Sequence, residues 1–503
     1  MDAARRRPLL LPAHAANADN TPSPPSSSSR PVDWRATGLC FALPALAGAL
    51  FGADIGGTSG AVVSLTGTAA GAPWAGPSLT PLQSGAVVSA SLFGALAASA
   101  ATLTAGDRLG RRTELAAAGF LYALGAAGAA LSPSYPALVA ARGVYGLGIG
   151  LAMHSAPAYI SETAPASVRG LLVALKEAAI VGGILLGYVA GAALAGDGDV
   201  GGWRAVYACA VPPGLLLALG SLSLIPESPR FLLLSGAGKE AAAEALRRAE
   251  GERASNKDDV ERELAAVEAA LSEAREAERR EAALATQGSG GRAWFLQPRY
   301  RRPLTVGLSL VVLQQLTGQP SVLYYAASIF KAAGFAGDDG ARVAVGLGAF
   351  KLVMTLAAVA LVDKAGRRPL LLGGVSGMTL ALVALSVASS QGADSAPLVS
   401  VAALLLYVGC YQLSFGPISW LLVGELFPLG RRGQAISAAV LTNFGTNALV
   451  SLALPQLQSA LGPSATYASF AAMGVVAVAV INAIVPETRG KTLEEIEAMW
   501  GDD

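Results

Sequence analysis

Long apolar runs alternate with short charged loops along this chain, and they fall into two sets of six. The first set lies near residues 37–65, 82–105, 113–131, 136–160, 170–196 and 203–225. The second lies near 303–333, 340–362, 369–390, 397–424, 434–457 and 463–485. Each run is long enough to cross roughly 30 Å of hydrocarbon as an α-helix. Between the sets the pattern reverses: Glu240, Glu244, Arg247, Arg248, Glu261, Arg262 and Glu263 alternate among alanines. That spacing predicts a solvated helical segment held by i, i+3 and i, i+4 ion pairs, outside any bilayer. A plain connector is favoured there over a separate binding domain. The pattern therefore predicts an all-α membrane protein with 12 transmembrane helices. It divides the chain into a disordered tail (1–34), a six-helix half (35–228), a helical linker (229–302), a second six-helix half (303–486) and a C-terminal tail (487–503).

The charged loops repeat about 260 residues apart. Asp107-Arg108-Leu109-Gly110-Arg111-Arg112 returns as Asp363-Lys364-Ala365-Gly366-Arg367-Arg368. Glu162, Pro165, Arg169 and Gly170 return as Glu425, Pro428, Arg432 and Gly433, and Pro226-Glu227-Ser228 is echoed by Pro486-Glu487-Thr488. Two pseudo-symmetric halves facing each other across a cavity are implied, which is the architecture of a transporter. The arginines and lysines fall in alternate loops, and the remaining loops carry Asp197, Asp199, Asp338, Asp339 and Asp394. By the positive-inside rule both termini and the linker are expected in the cytosol.

Composition supports lipid as the solvent for most of the chain: 53% of the 503 residues are hydrophobic, 14% are charged, and mean hydropathy is +0.50. A net charge of +1 argues against a nucleic-acid partner. The 59 glycines suit close helix packing in a membrane. Cys40, Cys209 and Cys410 lie in apolar runs and make neither a disulfide framework nor a metal-ligand spacing. His154 reads as a packed polar residue. With no phosphate loop, nucleophile constellation or metal set, an enzyme is not expected, and neither is a bound cofactor.

Ionisable residues inside apolar runs are the candidate chemistry, because a charge in hydrocarbon is costly unless paired or functional. Asp54 stands in the first run and Arg142 at the start of the fourth, and each is the other's nearest plausible partner. Glu177 in the fifth run and Lys351 in the eighth carry opposite charges.

The repeated phrases, together with Gln314-Gln315-Leu316-Thr317-Gly318, Gly416-Pro417-Ile418-Ser419-Trp420 and Pro486-Glu487-Thr488-Arg489-Gly490, resemble the sugar porter family of the major facilitator superfamily. The resemblance covers about residues 38–498. It is strongest to the plant and algal branch described as D-xylose–proton symporter-like, which includes vacuolar and plastid glucose transporters. Gly318-Gln319-Pro320-Ser321-Val322-Leu323-Tyr324-Tyr325 and the stretch from Tyr407 to Gly416 carry that closer likeness.

The family implies a functional monomer that moves a hexose or pentose across a bilayer by alternating access. Asp54 and Arg142 match its proton-coupling pair; a static salt bridge is the plainer alternative. Gln314, Gln315 and Trp420 match sugar-contacting positions, with Tyr411 two and a half turns before Trp420. Asn443 and Asn447 match polar positions and share a helix face, as sugar contacts or as helix-to-helix glue. Pro320 stands where many relatives have Asn, so Gln319 or Ser321 is expected to replace that contact. Glu177 stands where a sugar-binding Gln is usual, and Lys351 where a small polar residue is usual. A Glu177–Lys351 ion pair across the two halves is expected, with Lys176 as the rival partner for Glu177. Asp107 with Arg111 or Arg112, Glu162 with Arg169, and the second copies Asp363, Arg367, Arg368, Glu425 and Arg432 resemble inner-gate ion pairs, some of which are alternatively topology anchors. Proton-coupled symport is expected; facilitated diffusion and a non-transporting sugar sensor are the alternatives. An internal membrane (vacuole or plastid envelope) is favoured over the plasma membrane, and Pro8-Leu9-Leu10 resembles a dileucine sorting signal without its upstream acids.

Overall fold

The computed structural model describes residues 32–68, 70–105, 109–165, 167–195, 200–251, 257–288, 298–335, 339–391, 397–427, 429–491, 495–496 and 499–500. The side chains of 104–105, 274, 277–278, 280–288, 298–299, 359, 363 and 429–431 stand outside that description. Pro8-Leu9-Leu10 and Asp107 therefore lie outside the described residues.

Every described element is helical. The first set of crossings comprises α1 (Trp34–Thr66), α2 (Pro81–Ala105), α3 (Arg111–Ala130), α4 (Tyr135–Thr163) and α5 (Arg169–Leu194). The sixth crossing is broken into α6 (Gly202–Ala208) and α7 (Val211–Ser223) around Cys209 and Ala210, just before Pro212 and Pro213. The linker forms α8 (Pro229–Leu234), α9 (Lys239–Glu250) and α10 (Lys257–Gly288). Its helices share a small core of Ala242, Leu246, Val260 and Leu264, and a Lys239–Glu268 ion pair at 2.8 Å.

The second set departs from six simple rods. The seventh crossing is three pieces: α11 (Pro298–Leu316), α12 (Gln319–Tyr324) and α13 (Ala326–Ala332). Gly318 (φ +93°) adopts the left-handed conformation that interrupts it, and Pro320 then starts α12. Next come α14 (Asp339–Ala365) and α15 (Arg367–Ser390). The tenth crossing is α16 (Pro397–Leu413) plus α17 (Phe415–Glu425), broken at Ser414. Tyr411 and Trp420 consequently do not share one helix, contrary to the sequence expectation, because Gly416-Pro417 resets the backbone between them. Finally α18 (Leu429–Ile484) holds two crossings that meet at Gly462 (φ +80°), directly before Pro463. Among the described residues, ten helical stretches are long and apolar enough to cross a membrane. The fragmented seventh crossing and the doubled α18 account for the difference from twelve.

The tightest packing is between α1 and α5. Gly52, Gly56 and Gly60 repeat every fourth residue on α1 and face Gly183, Gly187 and Gly191 on α5. A methyl group at Gly56 would fall on the carbonyl oxygen of Ile184, and one at Gly183 on that of Ala49. Small residues at this spacing let two backbones touch without an apolar solvent effect to drive them together. The contact holds α1, which carries Asp54, rigidly against α5, which carries Glu177.

Candidate functional site

Four groups of polar residues stand out in this apolar frame. The first is the Asp54–Arg142 pair. Asp54 is 6% exposed and Arg142 1%. Both guanidinium Nη atoms donate to the carboxylate, Nη1 to Oδ1 and Nη2 to Oδ2 at 3.2 Å. Ser91 on α2 completes the group: its hydroxyl accepts from Arg142 Nη2 (3.1 Å) and donates to Asp54 Oδ2 (3.0 Å). Arg142 Nε donates to Val87 O (3.1 Å), and the guanidinium lies 5.1 Å from the Tyr207 ring centroid. Full use of the guanidinium fork offsets the cost of burying both charges. The pair lies wholly within the first set of helices. A cavity of about 180 Å³ reaches it, lined also by Thr58, Tyr145 and Tyr207. Thr58 and Tyr207 thus add two hydroxyls to the lining beside Asp54.

The second group surrounds the break in the seventh crossing. Gln314 and Gln315 are both buried, and the side-chain carbonyl of each lacks a protein donor. Gln314 spends its amide N–H groups on Tyr411 Oη (2.7 Å) and Phe415 O (3.0 Å), which leaves Oε1 as a fixed, unused acceptor. The hydroxyls of Ser321 and Tyr324 are likewise buried and unpartnered. Gln319 is half-buried. Tyr325 donates to Ser451 O (3.0 Å), and Ser451 donates to Asn447 Oδ1 (3.2 Å), tying α12 to α18. Asn443 is half-buried one turn away, and Trp420 is 37% exposed on α17. Buried donors and acceptors left without partners are costly, which makes these groups candidates to meet a ligand rich in hydroxyl groups.

The third group is the unexpected pair of charges. Lys351 is 4% exposed, donates to Gln412 Oε1 and sits 5.1 Å from the Tyr411 ring centroid. Gln412 Nε2 in turn donates to Thr355 Oγ1 (2.8 Å). Glu177 is bound instead by its neighbour Lys176, Nζ to Oε1 at 2.6 Å, with its side chain 60% exposed. The expected Glu177–Lys351 bridge is therefore not formed in this conformation. The expectation that adjacent residues point to different faces fails here because the long lysine stem folds back along the helix.

The fourth group is the charged end of each half, where the repeated residues form corresponding pairs. Arg111 Nε lies 3.5 Å from Glu162, and Arg367 Nη2 donates to Glu425 at 3.1 Å. Ser228 donates to Glu162 (2.5 Å), and Thr488 to Glu425 (2.7 Å). Glu227 accepts the Arg112 backbone N–H (3.0 Å); Glu487 accepts those of Arg367 (3.1 Å) and Arg368 (3.0 Å). The Arg112 side chain donates to Leu222 O and that of Arg368 to Asn482 O (2.8 Å). Burial works against ionisation of Glu487, but backbone N–H donors from Arg489, Arg367, Arg368 and Thr488 outweigh it and hold its carboxyl below the usual range.

One expected pairing is corrected. Arg169 donates to Ala164 O (3.3 and 3.2 Å) rather than to Glu162, and Arg432 donates to Phe427 O (3.2 Å) rather than to Glu425. Each arginine lies just past the loop and caps the backbone five residues back, so Glu162 and Glu425 are left to Arg111 and Arg367. Among the described residues, the bonds given above each join residues of one half. Asp107 and the side chain of Asp363 lie outside the described residues.

Sequence reasoning missed Ser91, Gln412 and Thr355, which carry no pattern signal. It also assigned no role to Glu227, Ser228, Glu487 and Thr488, although their duplication was the available clue. His154 is packed as expected, against Glu114 of α3 (Nδ1 to Oε2, 2.9 Å).

Two homologous helical sets, a cluster of unpartnered buried polar groups and a separate buried ion pair characterise a two-half membrane carrier. The chain belongs to the sugar transporter family: the model for "Sugar (and other) transporter" matches residues 40–500. It is similar to D-xylose-proton symporter-like 3, chloroplastic, of Arabidopsis thaliana, with 48% identity over 486 residues, 94% of this chain and 84% of that protein. Among solved structures it resembles the inward-open xylose transporter XylE from E. coli, with 30% identity, a TM-score of 0.74, and coverage of 92% of this chain and 99% of that one. The proton:xylose symporter XylE bound to 6-bromo-6-deoxy-D-glucose matches with 31% identity and a TM-score of 0.71 over 93% and 99% of the two chains. The protein is thus a multi-pass membrane sugar transporter of the sugar porter family, not an enzyme.

Proposed function

We propose that this transporter couples a proton to the uptake of one monosaccharide, hexose or pentose, by alternating access. The observation that carries the proposal is the buried Asp54–Arg142–Ser91 group, set apart from the sugar-binding cluster yet reached by its own cavity. Protonating Asp54 removes one charge of a pair that spans α1 and α4. Arg142 then keeps only Val87 O, Ser91 and the Tyr207 face, and the balance between the two access states shifts. Gln314 and Gln315 offer their carbonyls to sugar hydroxyls, Ser321 and Tyr324 add hydroxyl contacts, and Trp420, Asn443 and Asn447 border the same region. Names of relatives support the same direction: D-xylose-proton symporter-like for the Arabidopsis protein and proton:xylose symporter for XylE.

The positively charged loops place both termini and the linker in the cytosol. The chloroplastic relative supports an internal membrane, the plastid envelope or the vacuole. Among the described residues, hydrogen bonds from Tyr188 Oη to Leu323 O (2.7 Å) and from Ala327 N to Ser59 Oγ (3.0 Å) join the halves, and both involve helix segments remote from the charged end. Contacts between the halves at that remote end support a reading in which the cavity opens toward the cytosol, the state named for the inward-open XylE structure.

The test is sugar uptake into proteoliposomes with and without an inward-acid gradient. Wild-type protein accumulates sugar only with the gradient. Asp54→Asn loses accumulation but keeps sugar exchange. Uptake that ignores pH in the wild type rejects symport in favour of facilitated diffusion.

A further inference from the structure

We propose that Glu177 and Lys351 change partners during the transport cycle, and that Glu177 bridges to Lys351 only when the cavity closes at the charged end. The inference rests on the alternating-access reading above. It begins with where the two halves pivot. α5 and α14 come close at Gly348, where a methyl group would touch Leu185 Cα (3.2 Å) and the Tyr188 ring (2.9 Å). Tyr188 also makes the bond to Leu323. α5 runs away from the charged end, which holds Arg169, and α14 runs toward it, ending beside Arg367. Glu177 is therefore eight residues to the charged side of Leu185, and Lys351 three residues to the charged side of Gly348. At about 1.5 Å per residue these are roughly 12 and 4.5 Å from the contact, on the side that opens.

Neither residue is paired with the other here. Glu177 is well exposed and shares its charge only with Lys176. The Lys351 ammonium has one amide acceptor and one aromatic face, and no carboxylate within 4.0 Å among the described residues. Closing the charged end expels the water around Glu177. A desolvated carboxylate and a buried ammonium are each costly alone, and pairing relieves both at once. Tyr411 links Lys351 to the seventh crossing: Lys351 lies over its ring, and its oxygen accepts from Gln314. A sugar held by Gln314 is thus beside the place where the bridge closes, which makes the pair a positioning device for occlusion around the sugar.

The experiment is sugar exchange across proteoliposomes, with wild-type exchange as the prior control for the transport reading itself. Glu177→Gln and Lys351→Gln each slow exchange about tenfold or more, and the reversed pair, Glu177→Lys with Lys351→Glu, recovers to within about threefold of wild type. A reversed pair as slow as the single variants overturns the proposal. A second measurement stands independent of that variant's folding. In full-length protein, Glu177→Cys with Lys351→Cys is treated with a short bifunctional thiol reagent. Cross-linking that rises when sugar is added, absent in either single variant, supports the bridge; cross-linking unchanged by sugar overturns it.

Discussion

A buried ion pair acts as a proton site only if each of its atoms is accounted for, and at Asp54 the accounting depends on one serine. Ser91 accepts from Arg142 and donates to the carboxylate, so it holds the geometry whichever partner is charged. Ser91→Ala leaves Asp54 Oδ2 one donor short in a dry setting, a loss of about 1.5–3 kcal/mol for a hydrogen bond to a charged group. The expected outcome is a lower melting temperature in detergent and weaker gradient-driven accumulation, with sugar exchange retained; uptake and melting equal to wild type would show that Ser91 is a bystander. Asp54 and Arg142 were legible in the sequence because a charge within an apolar run is rare. Ser91 was not, since nothing separates it from the many other small polar residues on these helices. Lys351 shows the same limit: its oddity was legible, but its partners Gln412 and Thr355 depend on how α14 and α16 pack.

At the scale of elements, glycine placement decides which helices can touch. A Cβ at Gly56 or Gly187 meets backbone atoms of the facing helix, whereas one at Gly182, a direct neighbour of Gly183 on α5, meets nothing within 4 Å. Gly56→Ala and Gly187→Ala are therefore expected to destabilise the protein by about 1–3 kcal/mol through overpacking. Gly182→Ala should be neutral or slightly stabilising through helix propensity. Thermal unfolding in detergent separates the three, and equal melting temperatures would contradict the close approach of α1 and α5. The count of glycines pointed to close packing without saying where. Breaks were harder still to read: the seventh run looked like one span from 303 to 333, yet Gly318 turns left-handed inside it and creates the ends where Gln314, Gln315 and Ser321 gather. Hydropathy sees only an apolar stretch and is blind to a φ angle.

Across the whole molecule the repeat was the most legible feature, and its pairing the least. The two copies adopt matching networks, with Arg111, Glu162 and Ser228 answered by Arg367, Glu425 and Thr488. Spacing alone suggested Glu162 with Arg169, because order along the chain does not show which loop folds over which. Among the described residues the ties of these networks given above lie within one half, so on the alternating-access reading proposed above the resting conformation is set by contacts between the halves at the other end. Tyr188 to Leu323 and Ala327 to Ser59 are two such contacts. Tyr188→Phe and Ser59→Ala each remove one, worth about 0.5–1.5 kcal/mol, and so shift the inward-to-outward ratio roughly two- to tenfold toward outward-open. Because the two bonds are on different helices of the first half, their effects should add in the double variant. The measurement is the labelling rate of a cysteine introduced on each face of the cavity in the absence of sugar. Faster labelling from the non-cytosolic face with slower labelling from the cytosolic face is the expected sign. A shift in the reverse direction would mean that these bonds brace the outward-facing state, and that the charged networks, not the far-end contacts, set the resting conformation.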